Sequence, residues 1–250
     1  MKIAIMSDIH GNIEALNAVL EDIERENCEK MLILGDLAMA GPEPNETINL
    51  IKNLMDQKDI EIIQGNTDEM IVKHTDSPQD QYTPPNTIML EALKYTQQVI
   101  SDENKEFLTQ LPPYKYLTIG QTNILIVHGS PRRNNEDILP GQPIESIVPM
   151  LSNINADLIF CGHTHLPAGY QIGDMTIVND GSVGRPFTEE PKACYVVLDI
   201  PDLSKNEFGI EHKFIDYDFK QASEKLRKLP FEGADKLADM LIKATCRYPQ

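Results

Sequence analysis

Five short apolar runs, each ending in a polar loop, are the feature of this chain that most restricts its fold. The runs are Lys2–Met6, Met31–Leu34, Glu61–Gln64, Asn123–Val127 and Asp157–Phe160. Each has the length of a buried strand, and the segments between the first three show helical periodicity. In the first of these segments the apolar positions are Leu16, Val19, Leu20 and Ile23. This alternation predicts βαβ units with parallel strands and right-handed crossovers.

Residues with metal-binding side chains follow every one of these runs. They are Asp8, His10, Asp36, Asn66, His128, His163 and His165. The carboxyl ends of the strands in an α/β sheet lie along one edge, where ligands collect. We therefore expect two Asp, one Asn and four His side chains in one place. Such a mixed oxygen and nitrogen set suits two divalent first-row transition metals.

The spacing within two of the motifs supports this interpretation. Asp8 and His10, and likewise His163 and His165, are two residues apart. In an extended segment, alternate side chains share a face, so we expect each pair to point into the same space. Taken singly, Asp8 could be a helix cap, Asn66 a turn former, and the histidines could be surface or strand-end residues. The combination of all seven favours metal binding.

In sequence order, DIHGN, GDL, GNTD, VHGS and GHTH closely resemble the motifs of the calcineurin-like metallophosphoesterase superfamily. The later segment VNDGSVGRP is similar to the NPGS segment of that superfamily. The resemblance implies an α/β fold, a four-layer αββα sandwich of two stacked mixed sheets with the metals at one edge. It also implies two metal positions that share Asp36 as a bridging ligand. One would take Asp8, His10, Asp36 and His165, and the other Asp36, Asn66, His128 and His163.

The same resemblance implies a metal-dependent phosphohydrolase, most similar to the YfcE-like phosphodiesterase and diadenosine-polyphosphate-cleaving branches. Two metals roughly 3.5–4 Å apart polarise a phosphoryl group and lower the pKa of a bound water. A metal-held hydroxide would attack phosphorus in line, with Asp36, Asn66 and His128 as the catalytic residues. The cofactors would be two divalent ions, with Mn favoured and Fe, Co, Ni or Zn as alternatives. The rival functions are a catalytically weak scaffold for protein contacts and a phosphoprotein phosphatase.

One position departs from the commonest pattern of the superfamily. Many members have GNHD, in which the histidine is thought to protonate the leaving group, whereas this chain has Thr67 there. Threonine has no proton to give near neutral pH. We therefore expect substrates whose leaving group is stable as an anion, such as nitrophenyl diesters or nucleotide polyphosphates. His74 is a candidate replacement for the missing acid.

Four further residues are candidates for contacts with substrate phosphate. Arg132 and Arg133 follow VHGSP, and Arg185 follows GSVG. Guanidinium groups match phosphate oxygens, although loop arginines are also common as solvated surface charges. Asn12 could bind a phosphate oxygen or cap the helix that starts near Ile13.

The remainder of the chain completes a single predicted domain over residues 1–250. Residues 67–113 contain no convincing strand, and after a polar loop at Asp76–Pro85 they predict two helices, at about 86–100 and 102–111. This insertion predicts either a helical cap over the metals or ordinary helical packing on the flank. Hairpins are expected across Gly120-Gln121 and Gly173-Asp174, followed by strands at 193–199 and 209–214 and a helical tail.

Composition narrows the choice of partners. With 250 residues and 41% hydrophobic content, the chain suffices for one sizeable core. Its net charge of -17 disfavours stable binding to nucleic acid and to anionic membranes. We expect a small-molecule phosphate partner, possibly a nucleotide, whose repulsion the metals overcome locally. Four scattered cysteines, a strand that starts at Lys2 and the lack of a long apolar run predict a cytoplasmic protein.

Overall fold

Two mixed five-stranded sheets stack on each other in the computed structural model, which describes residues 1–73 and 87–246. The first sheet contains, in spatial order, Gly209–Ile215 (β10), Ala193–Asp199 (β9), Lys2–Met6 (β1), Lys30–Ile33 (β2) and Asp59–Ile62 (β3). The second contains Tyr114–Ile119 (β4), Thr122–Val127 (β5), Leu158–Cys161 (β6), Met175–Asn179 (β8) and Ala168–Ile172 (β7).

The helices lie mainly on the outer face of the first sheet. In the described residues they are Ile13–Glu26 (α1), Pro44–Met55 (α2), Asn66–Val72 (α3), Thr87–Val99 (α4), Asp102–Gln110 (α5), Ile144–Ile147 (α6), Phe219–Arg227 (α7) and Ala234–Lys243 (α8). A 3₁₀ turn at Val148–Leu151 follows α6 and covers the second sheet. Ser101 caps α5, because its side chain accepts the Asn104 N–H.

Parallel pairing at the centre of both sheets brings the carboxyl ends of the strands together. β1 pairs in parallel with β2, and β2 with β3. In the second sheet β5 pairs in parallel with β6, and β6 with β8. The predicted hairpins are confirmed, since β4 pairs antiparallel with β5 and β7 with β8.

Three apolar clusters separate four layers, which confirms the αββα sandwich. The central cluster lies between the sheets and includes Ile5, Leu32, Ile126 and Phe160. A second cluster joins the first sheet to its helices, and a third joins the second sheet to α6 and the 3₁₀ turn. Strand β1 supplies side chains to the first two clusters in alternation, Ile3 and Ile5 to one, Ala4 and Met6 to the other. Burial on both faces explains its uninterrupted apolar sequence.

Two elements differ from the sequence prediction. The hairpin of β9 and β10 extends the first sheet, where Ala4 pairs with Val197, whereas antiparallel hairpins that follow βαβ units in a sequence suggest a second, stacked sheet. With β2 paired on one side, β1 would leave its other edge unpaired, and the antiparallel strand β9 covers that edge. The second difference is α3, a short helix that begins at Asn66 and was not predicted from the sequence.

The described part of the 67–113 segment packs as helices on the flank of the first sheet. Ala92 and Leu93 of α4 and Leu108 of α5 are buried in the cluster that holds α1, α2 and α8. Residues 74–86, which include His74 and the loop Asp76–Pro85, lie outside the described residues, so the cap remains a prediction. In the part of the chain that the structure describes, no helix is long and apolar enough to cross a bilayer.

Candidate metal centre

The seven residues singled out in the sequence meet where β1, β2, β3, β5 and β6 end. Three of them form what we call the closed half: Asp8, His10 and His165, all buried. Here Nε2 of His165 lies 3.2 Å from Oδ1 of Asp8, and Nε2 of His10 lies 3.6 Å from the same oxygen. The two Nε2 atoms are 3.2 Å apart. One carboxylate oxygen and two ring nitrogens therefore face a common point.

Three others, Asn66, His128 and His163, form what we call the open half. Oδ1 of Asn66 lies 2.9 Å from Nε2 of His128 and 2.9 Å from Nδ1 of His163. His128 is buried, whereas the side chain of His163 is 18% exposed. This half therefore reaches the protein surface and the closed half does not.

Asp36 lies between the two halves and faces both. Its Oδ2 is 3.8 Å from Nε2 of His10, and its Oδ1 is 3.4 Å from Nε2 of His128. Oδ1 also accepts the Thr67 N–H at 2.8 Å. The two oxygens of one carboxylate thus point to different histidines, which is the arrangement that a bridging ligand needs.

Backbone carbonyls fix the orientation of three imidazoles. Nδ1 of His10 donates to the Met39 carbonyl at 2.7 Å, and Nδ1 of His128 donates to the Leu34 carbonyl at 2.7 Å. Nδ1 of His165 donates to the Arg185 carbonyl at 2.6 Å. A carbonyl can only accept, so in the neutral ring the lone pair is on Nε2, which faces the centre. Histidine ligands of metals are oriented in this way.

Unpaired acceptors in the closed half indicate that the site fits a cation. Oδ1 of Asp8 is buried and accepts no hydrogen bond, although buried polar atoms are almost always paired. The two Nε2 atoms beside it are also acceptors in the neutral rings. Ligand atoms of Asp8, His10 and His165 lie within 4.8 Å of one another, as do those of Asp8, Asp36 and His128. Carboxylate oxygens and imidazole nitrogens together suit divalent transition metals.

Electrostatics at the centre also favour positive charge. Burial opposes ionisation of Asp36, but His128 and His10 outweigh it and lower the pKa of Asp36 to about 2. Burial disfavours charge on His128 too, yet Asp36 and Asp8 raise its pKa to about 10. The carboxylates therefore favour a positive charge at this point, either a proton on His128 or a metal cation. Metal binding at such a centre would displace that proton.

The backbone at the centre differs from the extended geometry that the i, i+2 spacing predicted. Five ligand candidates have left-handed backbone with φ of 49–70°: Asp8, His10, Asp36, His163 and His165. The strands end at Met6, Ile33 and Cys161, before these residues, so the pairs converge through tight loops and not through a shared strand face. Left-handed non-glycine residues are strained and cluster at functional sites.

Glycines next to the ligands permit this crowding. A Cβ on Gly65 would lie 2.1 Å from Oδ1 of Asp36, and a Cβ on Gly162 would lie 2.6 Å from Oδ2 of Asp8. Both contacts are far shorter than van der Waals distance, so only glycine fits. Close packing against Asp36 and Asp8 therefore explains why GNTD and CGHTH contain glycine at these positions.

The sequence prediction missed Asp68, a buried carboxylate that holds the loop of Asp36. Its oxygens accept the N–H groups of Asp36, Leu37 and Gly65 at 2.8–3.0 Å. Burial and the neighbouring Asp36 carboxylate raise the pKa of Asp68 to about 6. An acidic residue at the third position of a helix was the available signal, since such residues bond back to the cap N–H.

Ser7 and Asp180 form a second buried support that the sequence prediction missed. Oγ of Ser7 lies 2.5 Å from Oδ2 of Asp8 and 2.7 Å from Oδ1 of Asp180. Burial and the Asp8 carboxylate raise the pKa of Asp180 well above its usual range. A protonated Asp180 can donate to Ser7, which then donates to Asp8. No motif in the sequence signals this long-range chain of hydrogen bonds.

The candidate phosphate contacts occupy different environments. Oδ1 of Asn12 accepts the Ala15 N–H at 3.1 Å and Nδ2 donates to the Gly184 carbonyl at 2.9 Å, which favours the helix-cap alternative. Arg132 pairs with Glu136, its Nε lying 3.0 Å from Oε2. The Arg185 guanidinium carbon lies 5.5 Å from the centre of the Phe187 ring, and Nη1 is 3.7 Å from Sδ of Met89.

Arg133 lines a cavity that opens directly from the open half. The cavity has a volume of about 450 Å³, within the range of small-molecule sites. Its walls include Asn66, Met70, Tyr114, His128, Arg132, Arg133, Asn134 and Asn135. Arg133 forms no ion pair within 4.0 Å in the described residues, unlike its neighbour Arg132. The structure therefore brings Arg132 and Arg133 to the open half and Arg185 to the closed half.

Phe187 supports the closed half from outside and was not predicted. Its ring stacks on that of His165, with ring centres 4.4 Å apart and an angle of 15° between the planes. Since His165 also lies 4.9 Å from the ring of His10, the imidazole is enclosed on two sides.

Comparisons with known proteins agree with this geometry. A sequence model of the calcineurin-like phosphoesterase superfamily domain matches residues 1–203. An uncharacterised protein of Methanocaldococcus jannaschii is 32% identical, with 90% of this chain and 92% of that protein covered. Phosphodiesterase YfcE of Escherichia coli K12 is 29% identical, with coverages of 82% and 90%.

Among solved structures, a protein of Pyrococcus horikoshii superposes with a TM-score of 0.83 at 28% identity, covering 97% of this chain and 98% of that one. The family model spans the strands and loops that carry all seven ligand candidates. The chain therefore belongs to the calcineurin-like phosphoesterase superfamily, and it is a hydrolase of the metallophosphoesterase type.

Proposed function

We propose that this enzyme hydrolyses phosphodiesters or nucleotide polyphosphates with two divalent metal ions. The observation that carries the proposal is the convergence of seven ligand-type side chains on one centre, where Oδ1 of Asp8 is buried without a hydrogen-bond partner in the described residues. When bound, two such ions supply Lewis acidity to the phosphoryl group and lower the pKa of a bound water. The name of the relative YfcE, a phosphodiesterase, supports the diester as substrate class.

We assign the metal ligands as two sets that share Asp36. The closed half, Asp8, His10 and His165, would hold one ion with one Asp36 oxygen. The open half, Asn66, His128 and His163, would hold the other with the second oxygen. The distances of 3.8 and 3.4 Å from the two Asp36 oxygens to opposite histidines support this division. Asp36, Asn66 and His128 line the side from which substrate would arrive.

Residues of the cavity would bind and orient the substrate. Arg133 forms no ion pair in the described structure, so we assign it the first contact with a phosphate oxygen. Arg132 is tied to Glu136 and would contribute mainly long-range charge. Arg185 would supply positive charge on the closed side. In a chain with a net charge of -17, these arginines and the metals would offset the repulsion of an anionic substrate.

Thr67 should restrict the range of leaving groups that the enzyme can expel. Its N–H donates to Asp36, and its hydroxyl is buried without a hydrogen-bond partner in the described structure. The hydroxyl cannot protonate a leaving group at neutral pH. The enzyme should therefore prefer esters and anhydrides whose leaving group departs as a stable anion. His74, the candidate replacement, lies outside the described residues.

Neither rival function is favoured by these observations. A scaffold for protein contacts has no need for four oriented imidazoles around an unpaired carboxylate oxygen. A phosphoprotein phosphatase expels a poor alkoxide leaving group, for which Thr67 provides no acid. We also propose that Mn²⁺ is the resident metal and that the partner is a small molecule. We further propose that the location is cytoplasmic and that residues 1–250 form one domain with a helical cap insertion at 67–113.

A substrate panel with added Mn²⁺ tests the function. It contains a bis-nitrophenyl diester, a nitrophenyl monoester, a cyclic nucleotide and a dinucleoside tetraphosphate. We expect kcat/KM to be highest for the activated diester or the tetraphosphate, and chelator-treated enzyme to be inactive. A kcat/KM for the nitrophenyl monoester that exceeds the values for the diester and the tetraphosphate, or full activity after chelation, would show that the proposal is wrong.

A leaving-group series tests the part assigned to Thr67. Wild-type kcat/KM should fall steeply as the pKa of the leaving group rises, because no acid assists departure. Thr67→His should help poor leaving groups selectively, since general acid catalysis contributes about 10²–10⁴-fold where it operates. Thr67→Val, which has no proton to give, is the matched control and should keep the steep dependence. A flat dependence in the wild type would mean that another residue already donates the proton.

A further inference from the structure

The fourth imidazole of the centre, that of His163, is held differently from the other three. Its Nδ1 lies 2.9 Å from Oδ1 of Asn66 and so faces the open half. Its Nε2 lies 3.2 Å from Oδ1 of Asp137. His10, His128 and His165 have backbone carbonyls as outer partners and present Nε2 inward. His163 alone of the four has a side chain as its outer partner, and it presents the opposite nitrogen.

The loop after β5 places Asp137 firmly at this point. Its neighbour Ile138 is buried in the cluster outside the second sheet. Glu136, on the other side, accepts from the Ser130 hydroxyl. Nδ2 of Asn134 donates to Glu69 at 2.7 Å, which ties the loop to α3. The Asp137 carboxylate is 57% exposed, yet its backbone is anchored on both sides.

We propose that Asp137 is a positioning residue that accepts the Nε2–H of His163 and so turns Nδ1 toward the metal of the open half. A carboxylate partner fixes one tautomer and raises the basicity of the ligand nitrogen. The inference rests on the proposed metal centre and adds a residue that the ligand motifs do not contain. It also connects the metal centre to the loop that carries Arg133 into the cavity.

The expected effect is selective for one ion. Removal of an outer partner of a metal ligand typically lowers metal affinity about 10–100-fold. Water can reach the half-exposed Asp137 and replace part of its role, so we expect about a tenfold loss. This loss should fall on the weaker-bound ion of the open half. The ion held by Asp8, His10 and His165 should keep its affinity, because in the described residues no hydrogen bond or ion pair joins them to Asp137.

Mn²⁺ titration of the metal-free protein, followed by calorimetry and electron paramagnetic resonance, measures this effect. Asp137→Ala should weaken one of two binding steps about tenfold. Asp137→Asn retains an oxygen acceptor for the Nε2–H, so its Mn²⁺ affinity at this step should lie between those of Asp137→Ala and the wild type. Asp174→Ala is the matched control, since it removes an exposed carboxylate from the β7–β8 turn and should change neither step.

Nitrogen NMR of histidine in the Zn²⁺-loaded protein gives a readout independent of activity. In the wild type, His163 should show a proton on Nε2 and a metal-shifted Nδ1. In Asp137→Ala that signal should broaden or divide between two ring orientations, while the other three ligand histidines keep their shifts. A change in overall packing would move all four.

Each outcome decides a different question. Two unchanged binding steps and an unchanged His163 spectrum in Asp137→Ala would overturn the role of Asp137. A wild type that loads only one ion would overturn both this role and the dinuclear centre. A wild type that loads two ions but hydrolyses no member of the panel would refute the proposed function and leave the role of Asp137 standing.

Discussion

The closed and open halves of the proposed metal centre contain similar candidate ligands in different surroundings. In the closed half all three side chains are buried, and both imidazoles donate to backbone carbonyls. In the open half His163 is partly exposed, its outer partner is a surface carboxylate, and the site adjoins a cavity of about 450 Å³. Metal sites that only hold an ion are closed, whereas catalytic sites keep a position open. We therefore expect the closed half to anchor its ion and the open half to exchange ligands with substrate.

Asp36→Asn should have the largest effect, because it affects both halves at once. The substituted side chain keeps an oxygen acceptor for the Thr67 N–H but loses the charge and one of the two oxygens. We expect hydrolysis to fall to background and Mn²⁺ loading to drop below two ions, with the fold retained by circular dichroism. A variant that keeps more than about a tenth of wild-type kcat, a loss under 1.4 kcal/mol of barrier, would contradict the bridging role.

His10→Ala and His163→Ala should both abolish activity but differ in stability. Truncation of His10 leaves the buried Met39 carbonyl without its donor and opens a void, so metal-free stability should fall by about 2 kcal/mol or more. Truncation of His163 leaves only the exposed Asp137 without a partner, and stability should change by less than about 1 kcal/mol. Urea unfolding of the metal-free proteins measures the difference. Equal losses would remove the distinction between the two halves.

Arg133→Ala should weaken substrate binding at the open half more than Arg132→Ala does. A hydrogen bond to a charged group contributes about 1.5–3 kcal/mol, and solvent at the cavity mouth reduces this, so we expect KM to rise about tenfold. Arg132 is already engaged by Glu136, and its removal should raise KM less than about threefold. Steady-state kinetics on the preferred diester compares them. The opposite ranking would move the phosphate contact to Arg132.

Phe187→Leu should have the smallest effect and should fall on the closed half. The stack of Phe187 on His165 is worth about 0.5–1.5 kcal/mol beyond its apolar area. We expect the closed-half ion to bind about 2- to 10-fold more weakly, with the open-half ion unaffected. The Mn²⁺ titration used for Asp137 separates the two steps. A loss confined to the open-half ion would mean that Phe187 acts through another contact.

Much of the fold followed from the sequence because its signals are local. Strands buried on both faces have continuous apolar sequences, as β1, β2, β5 and β6 do. The fifth predicted run corresponds to β3, which lies at the edge of the first sheet. The turns at Gly120-Gln121 and Gly173-Asp174 were equally local. The sheet to which β9 belongs could not be predicted from local sequence, because the pairing of β9 with β1 joins residues nearly two hundred positions apart. Such a pairing depends on which edges the rest of the fold leaves open.

The sequence by itself determined which side chains would form the centre, since the ends of parallel strands must meet at one edge. The sequence did not determine the orientation of these side chains. Only the tertiary structure placed Met39, Leu34 and Arg185 carbonyls behind three imidazoles and a carboxylate behind the fourth. It alone brought Asp68 and Asp180 beneath the ligand loops. These contacts join distant segments through left-handed loops, and hydrogen bonds of that kind depend on packing of the whole chain, for which no short motif exists.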